Sequence, residues 1–147
     1  MKMNDRHATP VTRSRSRLPR VKEQAVRMLS MSYFRATAPD VFLTVLRRRA
    51  PDICRRDLLF RWEAAVRRVE QAEFAPLENM WGQTDDRRIQ LADNIPVRCM
   101  LPTLLHEAMH FLVYQRRVTR SSVWKELGAD EEHDVMERID DRLIFMY

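Results

Sequence analysis

Leu104-Leu105-His106-Glu107-Ala108-Met109-His110 is the stretch on which the fold of this chain depends. Two histidines four positions apart on a helix lie one above the other, so their imidazole nitrogens can converge on one point. Pro102 suits the first turn of such a helix. Its wide apolar face would include Leu101, Leu104, Leu105, Ala108, Met109, Leu112 and Val113. The pattern predicts a buried helix that carries two imidazoles and one carboxylate.

The spacing His-Glu-x-x-His is typical of zinc peptidases. In this interpretation His106 and His110 bind Zn²⁺, and Glu107 takes a proton from the metal-bound water and later passes it to the leaving amine. The alternative is a pair of histidines without a metal, which gives no reason for three polar groups on an otherwise apolar helix. We therefore expect a zinc-dependent hydrolase that cleaves peptide bonds in protein or peptide substrates, with Glu107 as the general base.

A third metal ligand is expected in the last predicted helix, because a catalytic zinc usually has three protein ligands and one open position. Glu132 lies three, four, seven and eleven residues before Val135, Met136, Ile139 and Leu143, so periodicity places it on the apolar face of that helix. His133 is about a quarter-turn away, but an imidazole suits zinc well. Periodicity alone favours Glu132, and both residues remain candidates.

Composition limits the class of protein. A chain of 147 residues with 45% apolar content is long enough for one domain with a core. Its two glycines argue for long helices and against a barrel or a glycine-rich phosphate loop. Cys54 and Cys99 have neither disulfide-framework nor zinc spacing, so we expect two buried thiols. Without a membrane-length apolar run or a signal peptide, the chain is expected to be intracellular, in the cytoplasm or nucleus.

The charge is concentrated at one end. Residues 1–20 hold six basic side chains and one acidic side chain, while residues 21–147 hold twenty of each, so the net charge of +5 belongs to the first twenty residues. We expect this segment to be a disordered basic tail ahead of a folded domain over residues 21–147. The tail can bind nucleic acid through its arginines or act only as a solvated terminus, and both interpretations stay open.

Three helices are predicted before the motif. The first covers residues 21–36 and ends at Ala38-Pro39-Asp40, where Asp40 can cap a second helix that ends in Arg47-Arg48-Arg49. The third runs from residue 51 to about residue 72, and its arginines at positions 55, 56, 67 and 68 are expected to face solvent.

A small β-hairpin is predicted next, from residues 77–83 and 87–91, with turn chemistry in Thr84-Asp85-Asp86 and with Ile89 and Leu91 on one face. An extended substrate can pair with the free edge of a strand through backbone hydrogen bonds. The candidate for this edge is the segment Arg87-Arg88-Ile89-Gln90-Leu91. A hairpin that only covers the core is the alternative.

Three segments together resemble the SprT-like, or Spartan-type, zinc metallopeptidase domain: Arg88-Ile89-Gln90-Leu91-Ala92, Thr103-Leu104-Leu105-His106-Glu107-Ala108-Met109-His110, and His133-Asp134 ahead of Ile139-Asp140. The resemblance covers roughly residues 60–145. It implies His106, His110 and His133 as zinc ligands, Glu107 as the catalytic base, and substrates that include nucleic-acid-associated proteins. Met136 and Glu137 stand where that family has an aromatic residue.

The sequence thus predicts a mostly helical α+β protein, a zincin-like single domain with a small hairpin beside the motif helix. Two alternatives to a Spartan-type peptidase remain open. One is a non-catalytic module that binds zinc or nucleic acid, and the other is a small gluzincin-like peptidase with Glu132 as the third ligand.

Overall fold

The computed structural model describes residues 10–46, 54–84, 88–114 and 137–138. These residues form a mostly helical α+β fold with a small sheet between the third and fourth helices, which confirms the predicted class. The elements are α1 Pro10–Ser30, α2 Ser32–Leu46, α3 Arg55–Glu70, β1 Glu73–Ala75, β2 Gly82–Thr84, β3 Ile89–Ala92 and α4 Val97–Tyr114.

Helix α4 lies at the centre of the fold, in contact with α1, α3, β2 and β3. The other end of the core is organised around Trp62 of α3. Its indole packs against Phe34 and Phe42 of α2, with ring centroids 5.5 and 6.3 Å away. The indole N–H donates to the Leu29 carbonyl of α1 at 2.8 Å, so a single side chain joins three helices.

Helix α1 begins eleven residues before the predicted start at residue 21, so the prediction of a disordered tail is wrong for residues 10–20. Ser14 is fully buried, and its hydroxyl donates to the Ile95 carbonyl at 2.6 Å. Leu18 packs against the core one turn later. Ser14 and Leu18 continue, at helical spacing, the buried face formed by Val21 and Ala25. Their contacts offset the conformational entropy that the segment loses when it is ordered.

Helix α2 continues through Pro39, so the predicted break at residues 38–40 is wrong, and the chain instead breaks at Met31. Phe34, Ala38 and Phe42 are buried at i, i+4 and i+8, and this apolar stripe favours one continuous helix. Proline removes one backbone donor from such a helix. The Arg55 side chain of α3 supplies donors to the same turn, to the Ala36 carbonyl at 2.7 Å and to Asp40 at 2.5 Å.

Helix α3 buries most of its predicted apolar face, including Leu58, Ala65 and Val69, and Arg55, Arg56 and Arg67 are exposed as predicted. The sequence did not reveal that Arg61 is fully buried. Arg68 is half-buried because its guanidinium lies over the ring of Phe111, 5.5 Å from the centroid.

The two cysteines differ from the expectation of buried thiols. Cys54 is exposed and Cys99 is half-buried, and both are free. Cys54 precedes α3 at its N-cap position, where the chain enters the helix from the surface. None of the helices that the structure describes is long and apolar enough to cross a membrane.

The sheet has the strand order β1-β3-β2. Strands β2 and β3 form the predicted antiparallel hairpin, and Ile89 and Leu91 are both fully buried on one face. The predicted first strand, residues 77–83, is wrong over residues 77–81, where the left-handed φ of Asn79 interrupts an extended chain, and Thr84 belongs to β2 and not to the turn. Strand β1 was not predicted, and it pairs in parallel with β3 on the other side. Because α4 packs against β2 and β3, the sheet is held over the motif helix.

Candidate metal centre

Helix α4 carries the motif as predicted, with Leu104, Leu105, Ala108 and Met109 buried around it. The helix starts earlier than expected, at Val97, so Pro102 lies inside the helix and not in its first turn. Pro102 is exposed, and so is Arg98 one turn before it. Because proline has no N–H, the carbonyl of Arg98 lacks its helical hydrogen-bond donor. This carbonyl lies on the exposed side of the helix, where water can donate instead.

The two histidines meet as the spacing predicts. The Nε2 atoms of His106 and His110 are 2.8 Å apart, and the rings are nearly perpendicular with centroids 4.5 Å apart. His110 is buried and His106 is half-buried, so the pair lies at the boundary between core and surface.

A metal ion fits this donor pair. One ligand atom from each of His106, Glu107 and His110 lies within 4.8 Å of the others, and these three residues can hold a metal ion. Tetrahedral zinc with Zn–N bonds of about 2.0–2.1 Å needs its nitrogens about 3.3 Å apart. The imidazoles need to separate by only about 0.5 Å, which a small rotation of either ring provides.

Glu107 is buried, and β2 lies directly over it. The Thr84 hydroxyl donates to the Glu107 carboxylate and lies 3.1 Å from the main-chain carbonyl oxygen of the same residue. A buried carboxylate is costly unless it is hydrogen-bonded or paired. Thr84 therefore both compensates the burial of Glu107 and fixes the direction of its carboxylate.

Gly82 allows this close approach of strand and helix. A Cβ atom at position 82 would lie 2.5 Å from Cγ2 of Thr103 and 2.9 Å from Cγ of Glu107. Both distances are shorter than real Cβ contacts, so any larger residue would push β2 away from α4. The glycine is needed here for space, since its φ is not positive.

The predicted substrate edge, residues 87–91, is not an edge. Strand β3 pairs with β1 on one side and with β2 on the other, so Ile89, Gln90 and Leu91 lie in the centre of the sheet. Arg88 precedes this strand and pairs with Glu73 at 3.1 Å, and Arg87 lies outside the described residues. The sequence could not reveal this, because β1 is only three residues long, too short to show an alternating pattern.

Strand β2 is the edge that lies beside the cluster. The Ala92 amide donates to the Trp81 carbonyl at 2.8 Å, and residues 83 and 90 are partners in the same register. Consecutive residues of an antiparallel strand direct their backbone groups to opposite sides. Gly82 and Thr84 therefore direct their backbone N–H and C=O groups away from β3, where no other strand among the described residues pairs with them.

Both candidate third ligands, Glu132 and His133, lie outside the described residues. The two site residues that sequence reasoning missed are Gly82 and Thr84. Gly82 is one of only two glycines in the chain, and a rare glycine within a strand signals a close backbone approach. Thr84 was assigned to the turn and gave no such signal.

Comparison of the chain with protein-family models, with curated proteins and with solved structures finds no match.

Proposed function

We propose that the protein is a zinc-dependent peptidase whose reaction centre lies between α4 and β2. The observation that carries the proposal is the position of Glu107. Its carboxylate lies in one cluster with two convergent imidazoles, and it is hydrogen-bonded by Thr84 of a strand whose outer side pairs with no other strand among the described residues. A site that only bound metal for stability would need neither the carboxylate nor the strand in this place.

His106 and His110 would hold the metal through Nε2. Zn²⁺ bound there would supply Lewis acidity, which lowers the pKa of water and polarises a peptide carbonyl. Glu107 accepts the proton of the attacking water and transfers it to the nitrogen of the leaving amine. Thr84 keeps the Glu107 carboxylate directed toward the reaction centre, so the base does not have to be ordered during the reaction.

Strand β2 would bind the substrate. Gly82 and Thr84 each direct one N–H donor and one C=O acceptor to the side of β2 that pairs with no described strand, so an extended peptide can add to the sheet there. The same two residues face Glu107 on their other side. Backbone pairing at this edge would therefore bring a peptide bond next to the base whatever the substrate sequence is.

The third ligand in this proposal is His133, as the Spartan-type resemblance implies, with Glu132 as the alternative. Zinc content of His133→Ala compared with Glu132→Ala distinguishes them. A Spartan-type site loses zinc only with the first substitution, and a gluzincin-like site only with the second.

Nucleic acid is the second proposed partner, and α1 supports it. Arg13, Arg17, Arg20 and Arg27 recur at intervals of four, three and seven residues, so they share one face of the helix. All four are exposed, the row spans about 21 Å of helix axis, and Arg27 at its end pairs with Glu23 at 3.4 Å. A rigid row of guanidinium groups can neutralise successive phosphates and release their counterions. Substrates bound to nucleic acid would then be brought to the same molecule.

The test of peptidase activity compares wild type with Glu107→Gln on a mixture of unstructured peptides, each with zinc and with a chelator. Glutamine keeps the size and the hydrogen-bonding capacity of the side chain but cannot accept the proton. Zinc-dependent cleavage by wild type should fall by about 10²–10⁴-fold in the variant, with unchanged zinc content. Equal cleavage by both proteins would show that Glu107 is not the base, and zinc-loaded wild type that cleaves nothing would favour the non-catalytic alternative.

A further inference from the structure

The loop between β1 and β2 presents large apolar side chains at the surface. Met80 is 48% exposed and Trp81 is 45% exposed, immediately before Gly82. Asn79 has a φ of 58°, a left-handed conformation that asparagine adopts more readily than other residues except glycine. Such conformations persist where the surrounding structure holds them, and they are frequent at binding sites.

Met80 and Trp81 form one side of a cleft of about 400 Å³. Its lining residues are Leu77, Asn79, Met80, Trp81 and Asn94. None of these side chains ionises, and the two asparagines offer amide groups. The volume suits a small ligand group such as one aromatic or long aliphatic side chain. A charged side chain would gain no ionic partner from this lining.

The cleft lies next to the start of β2. Trp81 directly precedes Gly82, whose backbone groups lie at that edge and whose Cα lies against Glu107. A strand advances about 3.3 Å per residue, so Thr84 and Trp81 are separated by about 10 Å. A peptide paired with β2 and cleaved beside Glu107 would therefore reach the cleft with a side chain two or three residues from the cleaved bond.

We propose that this cleft is a substrate subsite which selects a large uncharged side chain, aromatic or long aliphatic, two or three residues to the C-terminal side of the cleaved bond. The proposal rests on the proposed peptidase function. The direction follows from antiparallel pairing, the commoner arrangement, in which the substrate runs from the Thr84 end of β2 toward Trp81. Selectivity would then come from Met80 and Trp81, while the β2 backbone binds any sequence.

The test uses synthetic peptides that differ only at the second and third positions after the cleaved bond, with Trp, Leu, Ala or Glu there. For wild type, kcat/KM for Trp or Leu should exceed that for Ala or Glu by about 10- to 100-fold. Trp81→Ala and Met80→Ala should reduce this ratio about tenfold, and Trp81→Phe should keep most of it. Phe60→Ala is the matched control, because Phe60 is 62% exposed on α3 and does not line the cleft.

A second measurement separates this proposal from the peptidase proposal. The Kd of the same peptides is measured by fluorescence polarisation with zinc-loaded Glu107→Gln protein. Peptides with Trp or Leu should bind more tightly than those with Ala or Glu, and adding Trp81→Ala should reduce this preference. If wild type cleaves peptides but the Trp81 and Met80 variants keep the wild-type ranking, the subsite is wrong and the peptidase stands. If nothing is cleaved but the ranking in Kd depends on Trp81, the cleft binds large uncharged side chains without being a substrate subsite, and the peptidase proposal is wrong.

Discussion

Gly82 of β2 and Glu107 of α4 are in direct backbone-to-side-chain contact, so close that a Cβ at position 82 would lie 3.1 Å from Oε1 of the carboxylate. This contact sets the distance between the strand and the motif helix. It also means that the position of the proposed base depends on the absence of a single methyl group.

Substitution Gly82→Ala is therefore expected to separate β2 from α4 and destabilise the fold by about 1–3 kcal/mol, as overpacking does in other cores. Zinc binding should persist, because His106 and His110 are both placed by α4. Peptidase activity should fall more than zinc content does. Urea unfolding and metal analysis check both effects.

The control for Gly82→Ala is Gln83→Ala, since Gln83 is the next residue of β2 and its side chain is exposed. Its unfolding free energy should change by less than about 0.5 kcal/mol. If the two variants are equally stable and equally active, the close contact at Gly82 does not position Glu107.

Thr84→Val removes the hydroxyl that holds the Glu107 carboxylate and keeps the shape of the side chain. We expect kcat to fall about tenfold with little change in KM, because a charge-assisted hydrogen bond contributes about 1.5–3 kcal/mol and part of it is replaced by water. Thr84→Ser, which retains the hydroxyl, should restore most of kcat. A valine variant with wild-type kcat would remove Thr84 from the site.

The basic face of α1 is tested by its salt dependence. Replacing Arg13, Arg17 and Arg20 by Gln should lower the slope of log affinity for duplex DNA against log salt by about 2 to 3, since each phosphate contact contributes about 0.9. The control replaces three exposed arginines elsewhere, Arg56, Arg67 and Arg98, and so changes the net charge equally. Equal slopes for the two triple variants would show that net charge, and not the α1 face, attracts the nucleic acid.

Local patterns predicted the part of the site that lies within one helix. The four-residue spacing places both imidazoles together whatever the rest of the chain does, and the 2.8 Å separation of their nitrogens confirms it. The alternation of Ile89 and Leu91 likewise indicated a strand with one buried face.

Features that depend on distant contacts were not predictable in this way. Ser14 packs against Ile95, 81 residues away, so composition alone assigned a helical segment to a disordered tail. Strand β3 was expected at the edge of the sheet. Strand β1 pairs with it, so β3 lies in the centre and β2 forms the edge. The continuation of α2 through Pro39 was not predictable either, because Arg55, which donates hydrogen bonds to this turn of α2, belongs to another helix.

The most direct measurement is the metal content of the purified protein, by inductively coupled plasma mass spectrometry, for wild type, for the double variant His106→Ala, His110→Ala, and for His7→Ala as a histidine control outside the motif. The expected result is about one zinc per chain in wild type and in His7→Ala, and none above background in the double variant. A double variant that keeps the full zinc content of wild type would contradict it, because the metal would then be bound elsewhere.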